Sequence, residues 1–247
     1  MRTPRSMILS ACLVAAVALG TVVLGTAAPV FAEGLTIAAG AGYRRPMAQA
    51  FAAFEAESGA AVGQVYGNMG QVLGQARESG QIAMVCGDRK VLAKAEGLTF
   101  TRFVPLGAGK LVVAFRNGVT LAAPEGITDP EITRVGIPDA KAAVYGKAGR
   151  QYLSQSGLAE AVAPKLVEVQ TVPQVTAYLT AGEVDAGFLN ITDAIGAGPA
   201  IGGYVPVDPA LYDPIEIACG VLSPAAEGFA AFLESPAGHA IMEANGL

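Results

Sequence analysis

Three times in the first part of this chain, a short apolar run with strand character gives way to a glycine-bearing turn and then to a helix-like segment. Leu35-Thr36-Ile37-Ala38-Ala39 reads as a buried strand and Gly40-Ala41-Gly42 as a turn. Pro46 suits the first turn of a helix that carries Met47, Phe51 and Phe54 at helical spacing and ends at Gly59. A second strand over 61–66 leads through Gly67-Asn68-Met69-Gly70 to a helix with Val72, Leu73 and Ala76, which stops at Gly80. A third strand over 82–86 meets Gly87-Asp88, where the carboxylate suits the N-cap of a helix over 89–95. This βαβαβα order predicts an α/β fold with a parallel sheet flanked by helices.

The remainder repeats the theme. Residues 100–105 and 110–116 read as strands, and 117–129, rich in Gly and Pro, as a boundary loop. A second α/β unit follows: a strand over 133–137, a helix over 141–155 with Val144, Tyr145 and Leu153 available for packing, a strand over 166–169, a helix over 173–180, and strands over 184–189 and 203–207. A linker over 208–214 precedes a strand over 215–222 and helices over 224–233 and 238–245. The 31 glycines and the lack of Trp suit close packing with tight strand-to-helix turns.

The N-terminus indicates where such a fold works. Arg2 and Arg5 precede a charge-free, mostly apolar run over 7–28, and Val30-Phe31-Ala32 places small residues where a signal peptidase reads. This is the layout of a secretory signal peptide cleaved after Ala32; the run is also long enough to span a membrane, so an uncleaved anchor is the alternative. Leu9-Ser10-Ala11-Cys12 has the look of a lipoprotein box, but the apolar sequence before it is short and that after it long, which argues against lipidation. Cleavage leaves 14 basic and 21 acidic residues, because Arg2 and Arg5 depart, for a net charge of −7. An acidic exported chain has no electrostatic reason to bind nucleic acid or anionic lipid.

Cys86 and Cys219 remain after the signal, and their spacing fits a disulfide as well as two separate buried thiols. His239 is the sole histidine, which excludes a metal site built on clustered histidines. There is no Gly-x-Ser-x-Gly elbow and no phosphate loop ending in Lys-Ser or Lys-Thr, and Cys86 lacks a histidine base. The sequence therefore does not read as an enzyme.

Five segments, in this order and spacing, carry a family resemblance: Leu35 to Ala41, the loop Gly67 to Gly70 with its helix, Val85-Cys86-Gly87-Asp88, Gly136 to Asp139 joined to Ala142 through Lys147, and Ala181 through Phe188. On these the mature chain resembles periplasmic solute-binding proteins of ABC importers, in the molybdate-binding branch of the type II class. The resemblance implies two α/β lobes, each a sheet flanked by helices, with two crossing strands as a hinge. Lobe one would comprise 33–115 plus 208–247, and lobe two 116–207. It further implies a periplasmic monomer that needs no cofactor, takes a small anion in the interlobe cleft and hands it to an ABC permease. The strand tips of open α/β sheets form such a crevice, and helix N-termini there offer unpaired N–H groups to an anion.

Carried over residue by residue, the resemblance places Gly42 where a ligand serine is expected, and Met69 or Asn68 where a second serine is expected. Ala142 and Val172 stand in for the usual alanine and valine, and Asn190 replaces the expected tyrosine of the last turn. The missing hydroxyls argue against simple molybdate selectivity. New groups at the same turns are Tyr43, Arg44 and Arg45 after the first strand, and Cys86, Asp88 and Arg89 after the third. They suggest a guest larger than a bare oxyanion: an organic anion or a metal chelate carrying carboxylates. One version has Tyr43 with Asp88 contacting ferric iron or another chelated metal, or Arg44 and Arg45 contacting its ligand shell. Each residue also has a plain reading: Arg44 or Arg45 as a solvated helix start, Met69 as core, Cys86 as a small buried residue, Asp88 as an N-cap, and Asn190 as a turn residue. A sensory role, in which the loaded protein docks on a membrane receptor, is the alternative to transport.

Overall fold

The computed structural model describes residues 35–247; the proposed signal segment, Cys12 and the cleavage point after Ala32 lie outside the described residues. Strand β1 (Leu35–Gly40) runs through a 3-10 turn (Ala41–Tyr43) into helix α1 (Arg44–Ser58). Strand β2 (Val62–Gly67) leads to α2 (Met69–Ser79), and β3 (Ile82–Asp88) to α3 (Arg89–Ala93) and then β4 (Arg102–Gly109). The second unit starts with β5 (Leu111–Phe115) and β6 (Val135–Pro138), followed by α4 (Val144–Gln155), α5 (Ala159–Val162) and β7 (Leu166–Val169). It continues with α6 (Val172–Ala181), β8 (Ala186–Asn190), α7 (Ile191–Ala197) and β9 (Gly203–Pro206). The chain returns as β10 (Ile215–Val221) and closes with α8 (Glu227–Leu233) and α9 (Pro236–Ala244).

Two five-stranded sheets result, ordered β2-β1-β3-β10-β4 and β7-β6-β8-β5-β9. The orders are equivalent. Each has a parallel triplet, then an antiparallel strand that lies beside a crossing, then an edge. The chain leaves the first sheet at β4 and enters the second at β5, and it returns between β9 and β10. This is the expected two-lobed α/β architecture. One limit moves: β5, assigned on the sequence to lobe one, pairs with β8 and β9 of the second sheet.

Burial explains the strand sequences. Every residue of β3, and all of β1 but Thr36, is buried, because central strands of a parallel triplet are covered on both faces. The edge strand β2 buries only Val62. Helix α1 buries Met47, Ala50, Phe51 and Phe54 along one stripe. Phe51 and Phe54 lie 5.0 and 5.3 Å, centroid to centroid, from Phe229, so α8 near the chain's end packs on α1.

Three local expectations shift. Strand β4 spans Arg102–Gly109 and passes through Pro105, which an edge strand tolerates because the missing N–H faces no neighbour. Helix α4 starts at Val144, not at 141: the Asp139 carboxylate accepts the Lys141 N–H (2.7 Å) and its carbonyl the Ala143 N–H (2.8 Å), so residues 140–143 form a turn instead. Helix α7 was not expected, since Gly196, Gly198 and Pro199 interrupt its pattern within two turns.

Candidate functional site: a cleft at the strand tips

The carboxyl ends of the parallel strands face one another across a cleft of about 410 Å³, including its opening to solvent. Sheet one contributes the tips of β1 (Gly40–Tyr43), β2 (Gly67–Met69) and β3 (Asp88); sheet two contributes the turn after β6 (Ala142–Tyr145) and the turn after β7 (Thr171, Val172). All five of these tips open helices or a helical turn. The first amides of such elements, those of Ala41, Gly42, Met69, Gly70, Val144, Tyr145 and Val172, have no intrahelical acceptor and carry partial positive charge. Capping boxes fix two of the turns. Asn68 Oδ1 accepts the Gln71 N–H (2.9 Å) while Gln71 Oε1 accepts the Asn68 N–H (3.0 Å). Gln174 Oε1 likewise accepts the Thr171 N–H (3.1 Å).

Among the described residues no Lys or Arg lines this inner cleft; its ionisable groups are Tyr43, Tyr145 and Asp88. The Tyr43 hydroxyl donates to the Tyr145 hydroxyl across the cleft (3.1 Å). Burial, and the charge of Asp88 nearby, hold both phenols above their ordinary pKa, so both remain neutral; with the Tyr43 proton directed at Tyr145, the Tyr145 O–H is the one left to donate. Asp88 caps α3 by accepting the Val91 N–H (2.8 Å). Taken together, the lining offers neutral N–H and O–H donors and the apolar side chains of Met69, Val144 and Val172, besides the Asp88 carboxylate engaged on α3. Such a set suits a compact guest with several acceptor oxygens.

A larger vestibule, about 1370 Å³ including its opening to solvent, shares Ala41, Gly67 and Thr171 with the inner cleft. Arg44 and Arg45 lie on its wall. A separate opening shares Met69, Asp88 and the Ala142–Val144 turn and carries Lys90, Lys94, Lys141 and Lys147.

The sequence matches the family model of the bacterial extracellular solute-binding proteins over residues 35–247. The chain belongs to that family. Among curated relatives of this solute-binding protein, the molybdate-binding protein ModA of Azotobacter vinelandii is 27% identical over 243 residues, covering 93% of this chain and 95% of its own. ModA of Rhodobacter capsulatus is 25% identical over 224 residues, 87% and 88% respectively. The solved periplasmic molybdate-binding protein of Azotobacter vinelandii superposes with a TM-score of 0.78 at 23% identity, over 86% of this chain and 97% of that one, and so shares the fold.

Within this solute-binding protein, Gly42, Tyr43, Asn68, Met69, Ala142 and Val172 all line the inner cleft. Met69 serves the core as well: its sulfur packs where a Cβ on Gly87 would sit at 2.5 Å, so β3 needs glycine there to seat it. Arg44 stands apart from the inner cleft, in the vestibule, with its guanidinium 5.2 Å from the Tyr66 ring centroid. Arg89 is engaged on the Phe103 ring at 3.6 Å.

Two expected contacts are spent elsewhere. Cys86 is fully buried in a disulfide with Cys219, directly opposite on the antiparallel strand β10. It therefore cannot meet a ligand; Asp88, two residues on, is the part of β3 that reaches the cleft. Asn190 is fully buried and does not line the cleft. Its Nδ2 donates to the Gly42 carbonyl (2.8 Å) and to Thr192 Oγ1, and Thr192 Oγ1 donates to the same carbonyl (2.8 Å). A Cβ on Gly42 would lie 3.0 Å from that Nδ2, so a side chain there would crowd the Asn190 amide. Sequence reasoning missed Tyr145 as a cleft hydroxyl, taking it as packing. Its place one residue into the helix that follows β6 was the available signal.

Proposed function

We propose that this protein is an exported receptor that captures a small anion between its lobes and delivers it to an ABC permease. The carrying observation is the convergence of helix starts from both sheets on one cleft that, among the described residues, holds neutral donors and no Lys or Arg, its one carboxylate, Asp88, being engaged in capping α3. The curated relatives' names support an oxyanion as the class of guest. In this reading lobe one comprises β1 to β4 with β10 and the terminal helices, and lobe two β5 to β9; the crossings at Lys110 and at residues 207–214 act as the hinge. The signal segment directs the chain to the periplasm, where it works as a monomer without turnover chemistry.

The ferric version draws on Tyr43, Tyr145 and Asp88, which do come together. Tyr43 donates to Tyr145 and both phenols are held neutral, which favours donation from Tyr145 to an anion over ligation of a metal as phenolate.

Thermal unfolding tests the reading against molybdate, sulfate, phosphate, organic acids and ferric chelates. A true guest at a hundred times its Kd adds about 2.7 kcal/mol, hence a rise in Tm of roughly 5–10 °C for a chain of this size. If every compound leaves Tm unchanged, the receptor reading is wrong. If only a ferric chelate raises it, the metal version replaces the anion version.

A further inference from the structure

The vestibule beside the inner cleft is built from donors. Arg44 stacks on Tyr66, whose hydroxyl donates to Gln64 Oε1 (2.9 Å), so the ring that carries the guanidinium is itself anchored. Among the described residues, Arg44 has no carboxylate within ion-pair distance. Gln71 and Gln174, one from each lobe, also line this wall. Each amide is oriented by its capping box: the Oε1 atoms accept backbone N–H groups (3.0 Å for Gln71; 2.8 and 3.1 Å for Gln174). That leaves the Nε2 amides of both glutamines as donors toward the vestibule. The one acid on the lining, Asp193, is taken by the Thr176 hydroxyl. In the other opening Lys147 is paired with Asp213 (2.9 Å) and Lys90 donates to the Pro214 carbonyl (3.1 Å), whereas Lys94 and Lys141 have no ion-pair partner among the described residues, so Lys141 serves as the control cation there.

We infer that this vestibule is a second anion subsite, in which Arg44, Gln71 and Gln174 receive the second acidic group of an elongated organic dianion whose oxyanion head occupies the inner cleft. The inference rests on the anion-receptor reading and specifies its ligand: an oxyanion joined by a short linker to a carboxylate. The two spaces are continuous, since Ala41, Gly67 and Thr171 belong to both. The stacked guanidinium presents a planar fork that suits a carboxylate. Because the two glutamines come from opposite lobes, the arm of the ligand would bridge them and favour closure.

Calorimetric titration of the purified protein decides the matter with four probes: molybdate and methylphosphonate, which have a head only, and phosphonoacetate and 3-phosphonopropionate, which add a carboxylate at two reaches. At least one phosphonocarboxylate should bind tenfold or more tightly than methylphosphonate. Arg44→Gln should erase that advantage while changing methylphosphonate affinity less than twofold, and Lys141→Gln, in the other opening, should leave it intact. Equal losses in Arg44→Gln and Lys141→Gln would mean diffuse attraction and overturn the subsite. Binding of molybdate or methylphosphonate with no gain from either carboxylate would overturn it and leave the anion receptor standing. If none of the four binds, the oxyanion reading fails and takes this inference with it.

Discussion

The two sheets share one strand order but are fastened in different ways. In sheet one, β10 arrives 133 residues after its partner on β3, and the join is covalent: Cys86–Cys219 crosses between paired residues. In sheet two, the corresponding strands are gathered by one carboxylate. Asp185, at the start of β8, accepts from the Thr133 N–H and Oγ1 (both 2.8 Å), the Arg134 N–H (3.1 Å) and Arg116 Nε (3.0 Å). It thereby ties the entry to β6 and the exit of β5 to β8. The discontinuous lobe carries a bond that holds in the unfolded chain too, whereas the continuous lobe carries a network that exists only when folded. Constraining the unfolded state helps most where the loop is long, and the loop of sheet one spans most of the chain.

The largest effect should therefore come from the disulfide. Cys86→Ala with Cys219→Ala is expected to cost about 3–5 kcal/mol in denaturant unfolding, given the size of the closed loop. Reducing agent added to the natural protein should reproduce that loss. A cost below about 1 kcal/mol would show that the β3–β10 join is held by its neighbours and would remove the contrast between the lobes.

The carboxylate hub comes second. Burial would raise the Asp185 pKa, but the donations from Thr133, Arg116 and Arg134 outweigh it and bring it down to about 2. Its stabilisation is thus fully present above the unfolded value of about 3.9 and lost as pH falls toward 2. With Arg116 partly open to solvent, we expect about 1–2 kcal/mol from the hub. Asp185→Asn should lower stability by that amount at pH 7, and the difference from the natural protein should shrink to nothing near pH 2. A difference that stays constant between pH 5 and 2 would assign the loss to packing. The hub and the disulfide share no partner, so their losses should add within about 0.5 kcal/mol.

The contrast was only half legible in the sequence. The apolar runs of β1 and β3, the stripe on α1 and the Asp88 cap are local patterns, and local patterns predicted them. The pairing of Cys86 with Cys219 depends on register: it needs β10 to enter antiparallel beside β3, a fact about topology that spacing does not carry. Asp185 lies within the Ala181–Phe188 segment, but its role as a hub is not legible there because its partners precede β6 and follow β5, and only the sheet brings them together. At the site, the sequence located the turns, because ligand groups gather at strand tips. It could not tell which polar atoms the fold itself consumes. Asn190 sits at such a tip, yet its amide is used on Gly42, and only the approach of the opposite lobe decides that. Tyr145 had the converse fate, since a packing face and an inward hydroxyl look alike in a helical pattern.

Between the two fastened lobes lies a joint with neither device, and it should show the smallest effect. At this joint Gly42 O receives Asn190 Nδ2 and Thr192 Oγ1 at 2.8 Å each, Arg45 Nη1 donates to the Gly196 carbonyl nearby (2.8 Å), and Tyr43 donates to Tyr145 across the cleft (3.1 Å). Asn190 also carries a cost, because its Oδ1 is buried without a partner. Asn190→Ala removes a donor and that orphaned acceptor together, while Thr192 goes on satisfying Gly42. The net change in unfolding free energy should stay within about 1 kcal/mol, since loss of the bond and relief of the buried oxygen oppose each other. If it approached the cost of losing the disulfide, the joint and not the separate fastenings would govern the stability of this fold, and the contrast between the sheets would explain little.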